Sequence, residues 1–592
     1  MLASRNRCHI LLCAVCIPLA LIALDASAAD LVSSTALDDR AISTRAQKIH
    51  PAVERSLPTA DARIKAWVLF GDGKELSDGS RRRAAMKGLE QSYNARAIER
   101  RKLRRTLPDL FDENDLPVPA SQVDAIRATG AIVHVVSRWI NGVSVAASRE
   151  QLVRIAAFDF VEKIQPVRRG RTVDQLAQAQ TQIVGPSATA AGFYGIAEAQ
   201  LVQMRLTQLH ALGYTGAGVR IGVLDTGFQR THVAFNEPGH PLQVVVEYDF
   251  INHDSNTGIQ AGDPSNQYVH GTMVLSTIGG YKPNEYVGGA YDAAFILCKT
   301  EDVAGEYPAE EDNYVAGLEF IEAQGGDLAT ASLAYIDWYT QADLDGMTAV
   351  TTRAVNIATA NGLHCLNAAG NAGHDSNPAT SHLLAPADAL RVFTVGAVDV
   401  SGLTASFSSD GPTADGRQKP ELLARGLDAK TVVTNNNTDY TGGSGTSFAT
   451  PLLATVVACL VQAHPDWTVD QMRWYLLHTA DDFVANGVPD ALFVRGYGLV
   501  NALAAHAGDC NDNGIDDATD IAAQAGTDCN VNGLPDECDL TADPPLDVNH
   551  DGVLDTCQPP AIPAASSWGV ACMALTLLAI GSILAARRSV AE

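Results

Sequence analysis

The chain of 592 residues predicts an α/β fold, with a mostly parallel sheet and helices on both faces, between about residues 195 and 507. Short apolar stretches that suit buried strands alternate there with longer stretches of helical periodicity. Because parallel strands are joined by crossover connections, usually helices, this alternation indicates a parallel sheet. Polar residues capable of chemistry stand directly after several of these strands, at the edge where reactive groups collect in such sheets.

This α/β region is predicted to contain at least five strands and three helices. The predicted strands cover residues 219–224, 295–299, 328–332, 364–368 and 391–395, and the predicted helices cover 315–324, 347–360 and 447–464. The strands are short apolar runs, as expected where both faces of a sheet are covered.

A small α+β domain is predicted ahead of it, within residues 29–171. Its strands are expected at 64–70, 131–136, 142–147 and 161–167, and its helices at 81–105 and 148–157. The sequence Arg168-Arg169-Gly170-Arg171 and the polar residues 172–194 then follow. They are predicted to form an exposed linker that is open to proteolysis.

The formal net charge of −26 is unevenly distributed along the chain. Residues 29–171 carry 25 Lys and Arg against 18 Asp and Glu, whereas residues 172–586 carry 13 against 48. The acidic body would repel phosphates, which argues against a nucleic-acid partner. It is compatible with docking of the basic segment.

The first 28 residues predict a secretory signal peptide. Arg5 and Arg7 precede the apolar residues 10–24, and Ala26-Ser27-Ala28 follows as a cleavage site. The alternative, a membrane anchor, normally needs a longer apolar stretch. Export would place the protein in a compartment that permits disulfides.

Three of the 11 cysteines, Cys298, Cys365 and Cys459, lie in apolar runs of the α/β region. They are predicted to be buried small hydrophobic residues. The alternative is one disulfide between two of them.

The centre of the α/β region is the sequence Gly443-Ser444-Gly445-Thr446-Ser447-Phe448-Ala449-Thr450-Pro451, ahead of the apolar residues 452–461. A turn of small residues that delivers Ser447 to the start of a helix lets a substrate backbone approach closely. It also aims free backbone N–H groups at one point, where a developing oxyanion would be stabilised. Taken alone, the turn is better explained as a capped helix with Ser447 as a spare hydroxyl, and the further residues described next reverse that interpretation.

Three further residues complete a catalytic set. Asp225 follows a strand and precedes Thr226-Gly227, His270 opens His270-Gly271-Thr272 before an apolar helix, and Asn371 follows another strand. A histidine can remove the serine proton, and a buried carboxylate can hold the imidazole in the required tautomer. Asn371 and the backbone N–H of Ser447 would stabilise the oxyanion.

The motifs Asp225-Thr226-Gly227, His270-Gly271-Thr272, Ala369-Gly370-Asn371 and Gly445 to Pro451, in this order, resemble those of the subtilisin-like serine peptidases. The resemblance extends over most of residues 195–507. It implies a serine endopeptidase with a triad of Asp225, His270 and Ser447. The basic segment, with Trp139 to Val145, looks like the inhibitory propeptide of the family.

Two motifs depart from the pattern of the family. Ser332-Leu333-Ala334 stands where the family usually has Ser-Leu-Gly in the wall of the substrate cleft, and Ala424-Arg425-Gly426 stands for Ala-Pro-Gly. The acidic residues 306–312 could border the cleft and favour basic substrates, although a solvated acidic surface is the simpler interpretation. His232 lacks the Gly-Thr that follows His270, and it is predicted to be structural.

Two other functions remain as alternatives. One is a surface adhesion or scaffolding protein with an inactive peptidase fold, which would have no physical need of an intact set of four catalytic residues. The other is a hydrolase that uses the same triad on esters.

Residues 508–558 contain three copies of a calcium-loop pattern, which begin at positions 509, 528 and 547. Oxygen ligands recur with a glycine at loop position 6, as in loops of the EF-hand type. A flexible Asp/Asn/Gly-rich linker is the alternative, but it does not explain three copies in register. The predicted calcium ligands are Asp509, Asn511, Asn513, Asp517, Asp520, Asp528, Asn530, Asn532, Asp536, Asp539, Asp547, Asn549, Asp551 and Asp555.

Cysteines occupy position 2 of the first two copies and position 11 of the last two. This arrangement suggests the pairs Cys510 with Cys538 and Cys529 with Cys557, among three connectivities. The array resembles the calcium-binding type 3 repeats of thrombospondins, which implies a stiff calcium-dependent stalk.

The C-terminus predicts one apolar helix at residues 568–588, after a linker at 559–567. The apolar run 568–586 would span about 28 Å as a helix, and Arg587-Arg588 after it orients the catalytic domain outward. The segment resembles bacterial sorting signals of the PEP-CTERM kind, and a plain membrane span is the alternative.

The sequence as a whole predicts an exported, self-inhibited serine endopeptidase on a calcium-binding stalk, either attached to a bacterial cell envelope or released. Its expected partners are protein and peptide substrates, its own basic N-terminal domain as inhibitor, and the envelope membrane through the C-terminal helix. Calcium is the expected cofactor, and no organic cofactor is expected.

Overall fold

A computed structural model describes residues 48–55, 62–71, 79–167, 170–172, 192–304, 311–335, 339–508, 517–522, 527–530, 534–542, 546–549 and 551–558. The chain divides into two compact units, Met1–His506 and Ala507–Glu592. The predicted signal peptide (1–28) and the C-terminal apolar helix (568–588) lie outside the described residues.

The N-terminal domain, residues 48–167, is built on a four-stranded antiparallel sheet of order β2-β3-β1-β4. Ile126 of one helix and Leu152 and Ile155 of another pack against Val68 and Val145 of the sheet, so two helices cover one face. The strands are β1 (Arg63–Phe70), β2 (Ile132–Ser137), β3 (Gly142–Ser148) and β4 (Val161–Pro166), and the helices are α1 (Pro51–Arg55), α2 (Gly79–Ser92), α3 (Ala95–Arg104), α4 (Ala120–Ala128) and α5 (Arg149–Ala156).

The single helix predicted at 81–105 is two helices, α2 and α3. Asn94 separates them, because its side-chain oxygen accepts a hydrogen bond from Arg96 N at 2.9 Å and so caps α3. Asparagine is among the residues most favoured at this position.

The main domain, residues 192–506, contains the predicted parallel sheet. Its seven strands have the order β17-β16-β15-β13-β6-β12-β9, and every neighbouring pair is parallel. The strands that follow the N-terminal domain are β5 (Gly170–Thr172), β6 (Arg220–Asp225), β7 (Asn236–Glu237), β8 (His240–Pro241), β9 (Gln243–Asp249), β10 (Tyr281–Lys282), β11 (Tyr286–Val287), β12 (Ala294–Lys299), β13 (Leu328–Ala331), β14 (Leu333–Tyr335), β15 (His364–Ala368), β16 (Phe393–Val398), β17 (Leu422–Arg425), β18 (Ala429–Val432) and β19 (Tyr440–Gly443).

The longest helix of the main domain, α11 (Thr446–Ala463), lies in its core. Among the described residues it is the one helix long and apolar enough to cross a membrane, but 89% of it is buried inside the protein, as in a core helix. The helices of this part of the chain are α6 (Glu198–Gln203), α7 (Leu206–Ala211), α8 (Val269–Gly279), α9 (Glu311–Ala323), α10 (Val350–Ala360), α11 (Thr446–Ala463), α12 (Val469–His478), α13 (Asp481–Asn486) and α14 (Ala502–Ala507).

The N-terminal domain shares a hydrophobic core with the main domain. Trp67 of β1 and Trp139 of the turn between β2 and β3 lie in one buried cluster with Tyr314, Val315 and Leu318 of α9. Burial of apolar area of this kind is the main favourable term in association between domains.

The cysteines follow the predicted pattern where they are described. Cys298, Cys365 and Cys459 are free and buried. Cys529 and Cys557 form a disulfide with a Cα–Cα distance of 5.7 Å, which confirms the predicted pair. Cys538 is also disulfide-bonded, and Cys510 lies outside the described residues.

The second unit contains the short helices α15 (Asp517–Ala522) and α16 (Asp536–Ala542). Two of the predicted repeats share local hydrogen bonds: Cys529 N donates to Asp536 in the second, and Val548 N donates to Asp555 in the third. In both repeats the donor stands at position 2 and the acceptor at position 9.

Candidate active site

Asp225 is the last residue of β6, at the carboxyl edge of the parallel sheet, and is fully buried. Its Oδ1 accepts hydrogen bonds from Thr226 N at 2.7 Å and from His270 Nδ1 at 2.7 Å. A carboxylate accepts only, so the imidazole proton stands on Nδ1 in this pair.

His270 lies in the first turn of α8, beside the loop that follows β6. The approach of the two segments requires glycine at the next position, because a Cβ on Gly271 would lie 2.3 Å from Gly227 O and 3.0 Å from Asp225 Cβ. Glycine at position 271 therefore allows the close approach that the hydrogen bond between His270 and Asp225 requires.

Ser447 is the second residue of α11 and is fully buried. Ser332 Oγ donates to Ser447 O at 2.7 Å, which ties the helix start to the residue before β14. Within the described part of the chain, Ser447 Oγ makes no hydrogen bond. The rings of His270 and Phe448, the next residue of α11, are 6.3 Å apart, so the histidine and serine segments lie side by side.

Asn371 follows β15 and is held against the start of α11. Its Oδ1 accepts from both Thr446 N and Thr446 Oγ1 at 2.9 Å. Because these donors occupy the amide oxygen, the orientation of the amide is fixed and its NH₂ group points away from Thr446. Gly370, with φ of +123°, makes the turn into this position.

His232 is not part of this group. Its Nδ1 accepts from Ala234 N at 3.1 Å, and its Nε2 is 3.0 Å from Asp439 O. Both ring nitrogens thus stabilise local backbone, in agreement with the structural role predicted for it.

A segment of the chain itself lies along the groove next to Ser447. Strand β5 pairs antiparallel with β14, so that Thr172 faces Leu333, Arg171 faces Ala334 and Gly170 faces Tyr335. The predicted linker therefore begins after this strand, since Gly170–Thr172 is held by backbone pairing. The sequence did not predict this pairing, because three residues carry too little periodicity to identify a strand.

The acidic helix α9 is paired with basic residues of the N-terminal domain. The buried carboxylate of Glu322 accepts hydrogen bonds from Arg100, Arg101 and Tyr93. Burial opposes ionisation of Glu322, but Arg100 and Arg101 outweigh it and lower its pKa to about 2. The carboxylate is therefore ionised in the complex of the two domains.

Two acidic residues at the start of α9 also bind the N-terminal domain. Glu311 Oε1 accepts from Trp67 Nε1 at 3.0 Å, and Asp312 Oδ2 accepts from Ser144 Oγ at 2.5 Å. Both acids are fully buried. The solvated surface favoured for residues 306–312 is thus wrong for these two, because the N-terminal domain covers them.

The predicted calcium ligands are described in part. Asp517, Asp520, Asp536, Asp539 and Asp547 are buried, although residues 508–558 include no Lys or Arg. Oxygen donors of this kind suit Ca²⁺. Asp528, Asn530, Asn549, Asp551 and Asp555 are also described, whereas Asp509, Asn511, Asn513 and Asn532 lie outside the described residues.

Comparisons with known proteins agree with this arrangement. Residues 216–498 match the Subtilase family, and residues 65–182 match a peptidase S8 propeptide domain of the Bacteroidota. Subtilisin E of Bacillus subtilis is 31% identical over 313 residues, which are 53% of this chain and 70% of that protein. Subtilisin of Bacillus pumilus is 30% identical over 313 residues, which cover 98% of its length.

Two further comparisons cover more of the chain. Bacillopeptidase F of Bacillus subtilis is 27% identical over 381 residues, which are 62% of this chain but only 26% of that protein. Fervidolysin of Fervidobacterium pennivorans shares the fold, with a TM-score of 0.50, 24% identity and coverage of 66% of this chain and 60% of that structure. The family match and the subtilisins place this protein by descent: it belongs to the subtilase family of serine peptidases.

Proposed function

We propose that this protein is an exported serine endopeptidase that is made as a precursor and inhibited by its own N-terminal domain. The observation that carries the proposal is the pairing of β5 with β14, which lays a peptide strand in the groove beside Ser447. A groove that binds a peptide backbone in extended form is suited to peptide substrates.

In this proposal Ser447 Oγ attacks the carbonyl carbon of the scissile peptide bond. His270 takes the hydroxyl proton and passes it to the leaving amine, which leaves an acyl-enzyme on Ser447. Water then attacks the acyl-enzyme with His270 again as base, and the serine is restored. The hydrogen bond to Asp225 supports the role of His270, because it fixes the tautomer and stabilises the imidazolium.

The oxyanion of each tetrahedral intermediate would be bound by Asn371 Nδ2 and the backbone N–H of Ser447. Thr446 holds the amide oxygen of Asn371, so the NH₂ group is oriented before the substrate binds. Donors that need no reorientation during the reaction are the effective ones in such sites.

The N-terminal domain would present its own C-terminal strand as the first substrate. Thr172 faces Leu333, and the same antiparallel register would set residue 173 opposite Ser332, the residue bonded to Ser447. We therefore place the self-cleavage at the bond between Val173 and Asp174, inside the linker 172–194 expected from the sequence.

Calcium is proposed to stabilise the repeats of the second unit. The support is that several of their aspartates are buried in a segment without Lys or Arg, and buried carboxylates need a compensating cation. The 14 aspartates and asparagines given above would supply oxygen ligands. Bound Ca²⁺ ions would offset the negative charge of the aspartates and stiffen the segment. We also propose that a signal peptide, residues 1–28, exports the protein. A membrane or sorting helix, residues 568–588, would then hold it at the cell envelope.

The test is intact mass and N-terminal sequencing of the purified protein beside a Ser447→Ala variant prepared identically. We expect the wild type to lose the N-terminal domain at Val173 and the variant to keep it. If both stay intact with calcium present, a trace of an outside protease is added together with casein. A zymogen then becomes able to cleave casein, whereas an inactive scaffold does not. A panel of ester and peptide substrates separates an esterase from a peptidase.

A further inference from the structure

We propose that Gln267 is a positioning residue that sets the geometry of the acid–base pair Asp225 and His270. This role rests on the proposed peptidase function and names how its acid–base pair is held in place. Gln267 stands three residues before His270, in the turn that leads into α8. It is 1% exposed, so its side chain acts on neighbouring protein groups and not on a substrate.

The side-chain amide of Gln267 joins the ends of two neighbouring strands, β6 and β12. Its Nε2 donates to Thr226 O at 2.6 Å and to Glu301 O at 2.5 Å, and its Oε1 accepts from Val303 N at 3.0 Å. Both N–H groups of the amide are therefore used. A half-turn of the amide would point its oxygen at two carbonyl oxygens, so these contacts permit one orientation only.

Thr226 connects this amide to the acid–base pair. The N–H of Thr226 donates to Asp225 Oδ1 at 2.7 Å, and its Oγ1 accepts from Gly271 N, the residue after His270, at 3.2 Å. One residue thus contacts the catalytic carboxylate and the start of the helix that carries the imidazole. Because Gln267 holds the carbonyl of that residue, it fixes how the two segments lie against each other.

Removal of the amide would deprive two carbonyl groups and one N–H group of a hydrogen bond. Thr226 and Glu301 are 0% and 1% exposed, so water does not readily replace the lost donors, and an unsatisfied buried group is costly. The loop that follows β6 would shift to regain partners, and the carboxylate of Asp225 would shift with it. A misplacement of about 1 Å can cost about a hundredfold in rate.

The first test is Gln267→Met, which keeps the length of the side chain and removes its donors and its acceptor. Self-processed protein, freed of its N-terminal domain, is assayed with a fluorogenic peptide Gly-Arg-Thr-Val-Asp, copied from residues 170–174. We expect kcat to fall by about tenfold to a hundredfold while KM stays at the wild-type value. A wild-type kcat in this variant would overturn the proposal.

The matched control is Gln200→Met, because Gln200 is a second buried glutamine that bridges backbone groups. It is 2% exposed, its Nε2 donates to Lys430 O at 3.2 Å, and its Oε1 accepts from Lys430 N at 2.6 Å. These bonds join α6 to β18. Both variants should lower the Tm, but only Gln267→Met should lower kcat at a temperature where both are folded. An equal loss of kcat in the two variants would mean a general effect on stability and would refute the positioning role.

A second variant, Gln267→Glu, tests whether donation by this side chain is the cause. It keeps the shape of the side chain, but an ionised carboxylate would face two carbonyl oxygens without a proton to donate. Burial favours the protonated carboxyl, whose single O–H can donate to one of the two carbonyls. We therefore expect kcat, relative to the wild type at the same pH, to recover toward the acid end of the range and to exceed that of Gln267→Met there. If Gln267→Glu is no more active than Gln267→Met at any pH, the donor role is wrong.

A spectroscopic test does not depend on turnover. In the full-length Ser447→Ala protein, the proton on His270 Nδ1 that is bonded to Asp225 is followed as a far-downfield proton NMR signal, assigned by its absence from a His270→Gln variant. Added Gln267→Met should shift and broaden this signal, whereas Gln200→Met should leave it unchanged. An unchanged signal with Gln267→Met refutes the positioning role. If wild-type protein cleaves neither casein nor the peptide, the proposed function fails, and this signal still decides whether Gln267 positions the pair.

Discussion

The buried charge of Glu322 should decide how long the N-terminal domain stays bound after it has been cut from the main domain. Glu322 and its partners Arg100 and Arg101 have side chains that are at most 1% exposed. Removing one partner of such a buried pair costs about 3–5 kcal/mol, because the remaining charge is left uncompensated. For Glu322→Gln we expect a cost of about 3 kcal/mol, the lower end of this range. The reason is that the amide oxygen can still accept from one arginine and Arg101 keeps its bond to Asp115.

A loss of about 3 kcal/mol corresponds to roughly a hundredfold weaker complex at about 1.4 kcal/mol per factor of ten. The rate at which the N-terminal domain dissociates is measured on protein that has been cut but is still associated. An excess of a fluorophosphonate probe labels Ser447 once the N-terminal domain has left. Because Ser447 is buried in the complex, the labelled fraction follows dissociation. We expect Glu322→Gln to be labelled about a hundred times faster than the wild type, if association rates are equal.

The matched control is Asp124→Asn. Asp124 pairs with Arg127 on α4, and the two side chains are 70% and 57% exposed. Such a pair contributes about 0–1 kcal/mol, so labelling should change by less than about fivefold. If Glu322→Gln is labelled no faster than this control, the buried pairs do not hold the domain and the reasoning is wrong. A double-mutant cycle with Arg100→Met should then show no coupling.

Four further outcomes are expected. Asp225→Asn should lower kcat on the order of 10⁴-fold through loss of the correct imidazole tautomer, measured on a peptide substrate. Asn371→Ala should lower kcat by about 10²–10³ with little change in KM, the range found for such a donor in subtilisin. Because the pKa of Glu322 is lowered from 4.5 to about 2 in the complex, its stabilisation is complete above pH 4.5 and is lost as the pH falls through 2. Release of the N-terminal domain from the cut protein should therefore be faster toward the acid end of this window. It is followed by size-exclusion chromatography, because the reaction of the probe with Ser447 needs His270 as a base. Chelation of calcium should make the second unit sensitive to chymotrypsin, which is used because residues 508–558 contain no Lys or Arg for trypsin. Asp547→Asn should weaken the protection that added Ca²⁺ gives.

The sequence located five of the seven strands of the main sheet, since these are apolar runs with clear ends; the two outer strands, β9 and β17, were not among them. The strand at 364–368 agrees to the residue, and the first strand, predicted at 219–224, is Arg220–Asp225. Helix α9 begins four residues earlier than predicted, at Glu311. Its first turn is acidic, which suits a helix N-terminus, but the apolar periodicity used for the prediction starts only at Val315.

The arrangement of the candidate site was predictable only where local motifs encode it. A strand end places Asp225 and a helix start places Ser447, and both positions follow from short sequence patterns. The contacts of Ser332 with Ser447 and of Tyr335 with Glu301 join segments more than 30 residues apart in the chain. Neither periodicity nor composition specifies such contacts. The basic N-terminal segment and the acidic body indicated docking, but not which carboxylates would be buried.

The two ways in which the N-terminal domain is held explain how cutting need not activate the protein. Strand β5 binds through its backbone. Cleavage of the bond between Val173 and Asp174 would remove the covalent link to the main domain but none of the contacts of α3 with α9. Those contacts include buried charges such as Arg100 with Glu322, which do not depend on the cut. In the proposed mechanism, cleavage and release are therefore separate events, the first decided at Ser447 and the second at α9. A protein with this arrangement should accumulate as a cut, inactive complex until a change in pH or further proteolysis removes the N-terminal domain.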